Sequence, residues 1–271
     1  METGICIIAG VNKDGETEPF GKLHLKLGDT VSIVGPTGSG KTAFITDIEL
    51  LSQGDSITKR IILVDEEIPS DEIRYNPVHK PVVMITQNTK CFSDLYVEEF
   101  LGIHARARGI NDTAIVNDTL NLANKFAGEK IRDKQRVNEL SGGQTRSLLF
   151  ADAIKIGKAP IVLLDEIENA GINKQKIIDS IRITNKLIIY VTHDPIIALQ
   201  TNKRIVIGNG SIRKIIERND TELNCLNEII RMDSELSELR EKIRTGELID
   251  KIYRLPSIRR ISRRQRITVT E

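Results

Sequence analysis

Residues 35 to 42 read GPTGSGKT, and no other stretch of the 271-residue chain so narrows the folds open to it. The octapeptide follows the apolar run VSIV and precedes AFITDIELL, whose apolar residues recur at helical spacing. Three glycines in such a loop let backbone N–H groups wrap an anion, and a helix N-terminus behind it adds partial positive charge. A buried strand must deliver the loop and a helix must leave it. Gly35, Pro36, Thr37, Gly38, Ser39 and Gly40 are therefore the candidate phosphate cradle. Lys41 is the cation that reaches the outer phosphates, and Thr42 the hydroxyl that holds Mg2+.

The rest of the pattern agrees with that requirement. Short β-branched runs alternate with longer helical ones, and the runs at 31–35, 82–86, 160–165 and 187–192 are almost unbroken Ile, Val and Leu. Strands of that kind are buried on both faces of a parallel sheet, which predicts an α/β fold. Between Gln87 and Leu140 the strand signal disappears. Apolar spacing of three and four, broken at Gly109, predicts an inserted helical subdomain over about 88–145, with Ser93 or Asp94 capping its first helix and Asn111 or Asp112 its second. Farther on, Cys225, Ile229, Met232, Leu236, Leu239 and Ile243 form the seam of an amphipathic helix that stops near Gly246. That seam suits packing on the helix's own domain better than a coiled coil, because three heptads are short.

Composition excludes several classes. No apolar run approaches the roughly 20 residues that span a bilayer, and the start METGICIIAG has no basic segment ahead of its apolar one. Cys6, Cys91 and Cys225 are odd in number and lack metal-ligand spacing, which suggests neither a disulfide framework nor a zinc site and points to a reducing, cytoplasmic compartment. The net charge of +1 conceals an asymmetry: Lys251 to Thr270 holds seven basic residues and no acid, so the remainder carries 32 basic against 38 acidic groups, or −6. The tail YRLPSIRRISRRQRITVT is suited to nucleic acid, anionic lipid or an acidic protein surface, or is simply a solvated end.

A second acid-bearing strand completes the chemistry. IVLLDE ends a buried run in two carboxylates, a costly arrangement unless a cation shares them. In phosphoryl transfer the first acid supports the metal and its neighbour orients the attacking water, so Asp165 is the metal-side group and Glu166 the water-side one. With LSGGQ at 140–144, and with VVMITQN and YVTHD in the same order along the chain, residues 3 to 215 resemble the ATP-binding cassette (ABC) ATPases.

That resemblance implies a P-loop NTPase fold: a mostly parallel core, an antiparallel β subdomain and the inserted helices, over residues 1–217. Residues 218–271 are then a C-terminal amphipathic helix and basic tail. By the same resemblance ATP and Mg2+ are the ligands, Gln87 touches metal and water, and His193 contacts the γ-phosphate. Ser141, Gly142, Gly143 and Gln144 face the nucleotide of a second cassette, so two copies sandwich two nucleotides head to tail. The resemblance also implies a separate transmembrane subunit, which QNTKCFSDLYVEEFL would receive, with the chain peripheral at the inner face of the cell membrane. The other reading is a soluble ABC ATPase that remodels a protein, cofactor or nucleic-acid complex.

Two departures from the family pattern stand out. IENAGI follows the acid pair and places Ile172 where the resemblance expects an aspartate that couples the two sites. No aromatic stands near residues 9–14 to stack on adenine: Val11 offers an apolar platform and Phe20 lies too close to the phosphate loop. Stacking contributes about 1–3 kcal/mol per base, so its loss predicts measurable competition by GTP.

Overall fold

The computed structural model describes residues 4–166 and 185–249. The chain divides into two compact units, Met1–Leu223 and Asn224–Glu271. Two sheets organise the first. β1 (Gly4–Ile8) lies between β2 (Lys22–Lys26) and β4 (Ile61–Val64) in an antiparallel sheet. The larger sheet runs in the order β5 (Val82–Thr86), β6 (Ile161–Asp165), β7 (Leu187–Val191), β3 (Thr30–Val34), β8 (Lys203–Gly208) and β9 (Ser211–Glu217). Its pairs are parallel except for the last, β8 with β9.

The unbroken apolar runs have the predicted cause. Along β6 and β7, Val162, Leu164, Ile188 and Tyr190 join one core, whereas Ile161, Leu163, Leu187, Ile189 and Val191 join another on the opposite face. The first core is closed by helices α3 (Val97–Ala107), α4 (Ala114–Phe126) and α5 (Gly142–Lys155), the second by α1 (Lys41–Glu49) and inward residues of the antiparallel sheet such as Ile5, Ile7 and Leu25. Each strand residue therefore finds an apolar partner whichever face it points to, and alternation in sequence is not required.

Two local expectations need correction. The first inserted helix starts at Val97 rather than beside Ser93 or Asp94, and the Tyr96 N–H donates to Glu99 Oε2 at 3.1 Å, half of a capping box. Ser93 and Asp94 are instead occupied by the loop, accepting from Leu95 N–H and from Arg136. The second helix starts at Ala114 behind Thr113, while Asp112 Oδ1 accepts the Ala114 N–H at 2.9 Å from one residue farther out. SIRKII, to which the sequence pattern assigned no element, forms β9, a strand carried by an Asn209-Gly210 turn with both φ angles positive (56° and 79°). Asn-Gly between β-branched runs is the usual signal for such a hairpin.

Folding also brings together groups that linear spacing keeps apart. Cys6 lies opposite His24 across β1 and β2, with Sγ 3.9 Å from Nε2, while His24 Nδ1 is 2.9 Å from Glu66 Oε1. The thiol is wholly buried and burial raises its pKa, so it stays protonated at neutral pH. In the second unit a long helix, α7 (Asp220–Arg244, entered from the first), ends ahead of Gly246 at φ 79°. Its seam residues Leu236 and Ile243 are exposed. Ile172 and the basic tail lie outside the described residues.

Candidate functional site

The phosphate loop is built by close approach as much as by turning. β3 ends at Val34, Gly35 follows at φ 155°, and Gly38 and Gly40 take φ 75° and 104° before Lys41 opens α1. A Cβ on Gly35 would lie 2.2 Å from the Ile207 carbonyl oxygen, and one on Gly40 would lie 2.8 Å from Gly210 Cα. Strand β8 and the turn that follows it thus press on the loop, and only glycine leaves room for them. The Gly210 N–H donates to the Ser39 carbonyl at 2.7 Å and ties the β8–β9 turn to the same loop. No side chain caps α1, so its first N–H groups remain available to an anion.

Lys41 is 7% exposed, and its Nζ donates to the carbonyls of Gly35 (2.9 Å) and Pro36 (3.1 Å). The ammonium is folded back across the loop, where it faces any phosphate that enters. Beside it the C-terminal ends of β5, β6 and β7 stand in register: Thr86 pairs with Asp165, and Asp165 with Val191. Glu166 follows at φ 49°, a region that side chains rarely adopt, held by its N–H donating to the Val191 carbonyl at 3.0 Å. Its Oε1 is 3.3 Å from His193 Nε2, with Glu166 one-third exposed and His193 about half. An unusual backbone angle at an exposed acid turned toward a histidine marks a position shaped for chemistry.

These groups share one cleft of about 320 Å3, lined by Lys13, Thr37, Gly38, Gly40, Lys41, Thr42, Glu166, Val191 and His193. Of the residues expected from sequence, Thr37, Gly38, Gly40, Lys41, Thr42, Glu166 and His193 face it. Gly35, Pro36 and Ser39 shape the loop from behind, and Asp165 sits half-buried at the end of β6. Gln87 is exposed just after β5 and does not line the cleft, and its carbonyl accepts from Arg146 Nη1. The Thr42 hydroxyl and the Asp165 carboxylate are hard oxygen donors, a set that fits Mg2+.

The LSGGQ stretch lies elsewhere. Ser141 caps α5 through a reciprocal pair, its Oγ accepting the Gln144 N–H at 3.3 Å while Gln144 Oε1 accepts the Ser141 N–H at 2.9 Å. Gln144 is buried and Gly142 exposed, and none of Ser141, Gly142, Gly143 or Gln144 lines this chain's own cleft. The segment is therefore an exposed helix N-terminus whose Gln144 serves the cap.

Sequence reasoning missed two cleft residues, Val191 at the end of β7 and the charged Lys13. The search near residues 9–14 was for an aromatic, and neither Val11 nor Phe20 lines the cleft; Phe20 packs on the core beneath β3. The available signal was a lysine inside the turn-forming run VNKDGE, too common a pattern to single out.

Comparison with known proteins decides the family. Residues 21–169 match the family model described as ABC transporter. The chain is a member of the ABC transporter ATP-binding family. It is 45% identical over 243 residues to an uncharacterized ABC transporter ATP-binding protein of Methanocaldococcus jannaschii, covering 90% of this chain and 93% of that one. It is also 31% identical over 222 residues to the spermidine/putrescine import ATP-binding protein PotA of Fusobacterium nucleatum, covering 78% of this chain and 56% of the relative. Against such import proteins the chain spans about half of their length. Among solved structures, an ATP-binding cassette in a dimeric post-hydrolysis state with ADP and Pi matches with TM-score 0.58 at 20% identity, over 80% of this chain and 99% of that one. A cassette of the cbiONQ transporter complex from Clostridium perfringens matches with TM-score 0.59 at 20% identity, over 89% and 100%. These likenesses carry the fold: a P-loop ABC ATPase domain with a mostly parallel sheet and an antiparallel one.

Proposed function

We propose that this ABC protein binds and hydrolyses ATP in a head-to-tail homodimer and drives a separate transmembrane subunit, from a position at the cytoplasmic face of the membrane. The observation that carries the catalytic part is the convergence of Lys41, Thr42, Glu166 and His193 on one cleft at the C-terminal ends of parallel strands. Residues 1–217 would form the ATPase domain and residues 218–271 its extension. The transport part is supported by the similarity to import ATP-binding proteins. No helix among the described residues is long and apolar enough to cross a membrane, which agrees with a division of labour between chains.

In this reading the loop N–H groups from Gly38 to Lys41 and the start of α1 bind the β-phosphate, and the Lys41 ammonium neutralises charge on the outer phosphates. Thr42 and Asp165 would hold Mg2+, which would supply further charge neutralisation at the phosphates. Glu166 orients the attacking water and takes its proton, while His193 holds that carboxylate and meets the γ-phosphate. Ser141, Gly142 and Gly143 of one copy close on the nucleotide of the other as a second helix N-terminus, with Gln144 bracing that end of α5. Catalysis is then positioning plus neutralisation, complete only in the closed dimer.

Glu166→Gln is the test. It keeps size and hydrogen bonding but removes the base, so hydrolysis should fall by about 100-fold or more. ATP should then trap the variant as a dimer in size-exclusion chromatography with light scattering. A chain that stays monomeric with ATP bound sinks the sandwich arrangement. Unchanged turnover sinks the role of Glu166.

A further inference from the structure

The feature of the cleft that the ATPase scheme leaves unused is Lys13. We propose that Lys13 is a nucleotide-binding residue, a second cation in the cleft that pairs with the phosphates alongside Lys41. The inference rests on the nucleotide reading of the cleft and adds a residue to it.

Three observations carry it. Lys13 lines the same cleft as Lys41, Thr42, Glu166 and His193. Its Nζ donates to the carbonyl of Gly38, inside the phosphate loop, at 2.5 Å. Among the described residues that ammonium has no carboxylate partner, because the nearby acids are otherwise engaged: Asp14 accepts from Asn209 Nδ2 at 2.6 Å and Glu16 from Asn12 Nδ2 at 3.0 Å. A neutral carbonyl is a weaker acceptor for an ammonium than a phosphate oxygen, so an entering triphosphate competes well for it.

The backbone of Lys13 is fixed more firmly than an exposed turn requires. Its N–H donates to the Asn209 carbonyl at 3.1 Å, and a Cβ on Gly210 would lie 3.0 Å from Lys13 Cγ, so the alkyl stem lies along the β8–β9 turn. Gly210 in turn donates to Ser39 of the phosphate loop at 2.7 Å. Beneath both loops lies a fully buried guanidinium. Arg60 donates through Nε and Nη2 to both oxygens of Glu18 (2.8 and 2.7 Å), through Nη1 to Asp47 (2.8 Å) and through Nη2 to the Gly210 carbonyl (2.5 Å). Glu18 also accepts the Gly10 N–H at 3.0 Å, which closes the 10–18 loop onto the same hub. Base-side loop, hairpin turn and phosphate loop thus form one braced unit that holds a lysine at the cleft's edge. Pre-set placement lowers the ordering cost of binding.

The experiment measures calorimetric affinity of the purified full chain for ADP and for a non-hydrolysable ATP analogue in wild type, Lys13→Gln, Lys13→Arg and Lys41→Ala. Wild type should bind and Lys41→Ala should not. Lys13→Gln should bind about 5- to 20-fold more weakly, allowing for an exposed, partly screened contact. Lys13→Arg should stay within about twofold of wild type. The gap between wild type and Lys13→Gln should shrink as salt rises from about 0.05 to about 0.5 M. Equal affinities for Lys13→Gln and wild type, with Lys41→Ala inactive, overturn the inference and leave the nucleotide site standing. An arginine variant as weak as the glutamine one, or a gap indifferent to salt, also overturns it. Failure of wild type itself to bind either nucleotide removes the reading on which it rests.

Discussion

At the scale of single residues, the cleft is held by positions whose cost is visible. Glu166 keeps a backbone angle of φ 49° and Gly40 packs its Cα against Gly210, where any Cβ would collide at 2.8 Å. Arg60 is the largest wholly buried side chain, and it satisfies Glu18, Asp47 and a backbone carbonyl while its guanidinium lies 4.9 Å from the Phe44 ring centroid. Removing one member of such a set strands the others without water. Arg60→Met should therefore destabilise the chain by about 3–5 kcal/mol, read as a fall in the denaturation midpoint in urea. A loss under about 1 kcal/mol would mean that the carboxylates find other partners. Among the described residues the cleft has no Phe, Tyr or Trp to stack on a base, so GTP should compete with ATP; a large measured preference for ATP would show that backbone or polar contacts select the base.

At the scale of elements, the helical subdomain is tied to the rest of the ATPase unit by polar as well as apolar contact. His104 on α3 bonds Asp152 on α5 through Nδ1 at 3.0 Å, and that hydrogen bond raises the imidazole pKa, with burial and then Arg108 acting against it. A raised folded pKa means that the charged pair stabilises the fold fully below the ordinary imidazole value of about 6.5, and that the gain is lost as pH climbs through the elevated value. With the histidine side chain 43% exposed the contribution is screened to less than about 1 kcal/mol. Thermal melts of wild type and His104→Asn should accordingly differ most in mildly acidic buffer and converge in alkaline buffer. A constant difference across that range would assign the contact to packing rather than charge. α5 illustrates a different economy, since one Ser-Gln pair both caps the helix and leaves Gly142 exposed at its tip.

The whole-molecule question is where a complete active site comes from. LSGGQ does not line the cleft of its own chain, and the proposed dimer would combine two chains to bring both halves together. Gly142→Asp is the variant of choice: an added Cβ meets only the flexible Arg146 guanidinium at 3.1 Å, and an acid in the first helical turn suits the helix while repelling phosphate. Each of Lys41→Ala and Gly142→Asp should be inactive alone. Mixed in equal amounts, they should recover up to about a quarter of wild-type turnover, because half of random pairs are mixed and each mixed pair keeps one intact composite site. Absence of recovery would indicate either sites confined to one chain or two sites that fire only together.

How far the sequence could be read follows from the range of each interaction. GPTGSGKT between an apolar strand and a helix, and IVLLDE with its terminal acids, are contiguous, so local chain geometry and the need to neutralise buried charge define their roles with no knowledge of neighbours. Continuous Ile, Val and Leu runs likewise dictated a sheet covered on both faces, and the strands at 82–86, 161–165, 187–191 and 30–34 lie side by side in it, the first of them at its edge. Other features depend on partners distant in the chain. Tyr96 rather than Ser93 begins α3 because Arg136 and Asn138 claim the Asp94 loop from 42 and 44 residues away. Gln87, assigned through the family resemblance, is exposed after β5 and does not line the cleft, because side-chain placement at a strand end is set by packing that the motif does not record. Lys13 reaches Gly38 only because Arg60, Glu18 and Gly210 clamp three separate loops together. The sequence thus determined which groups are the candidates for the chemistry, through contiguous motifs with their own backbone logic. The tertiary structure alone decided which lysine joins them, because a buried charge network acts across 150 residues of chain and leaves no periodic trace in it.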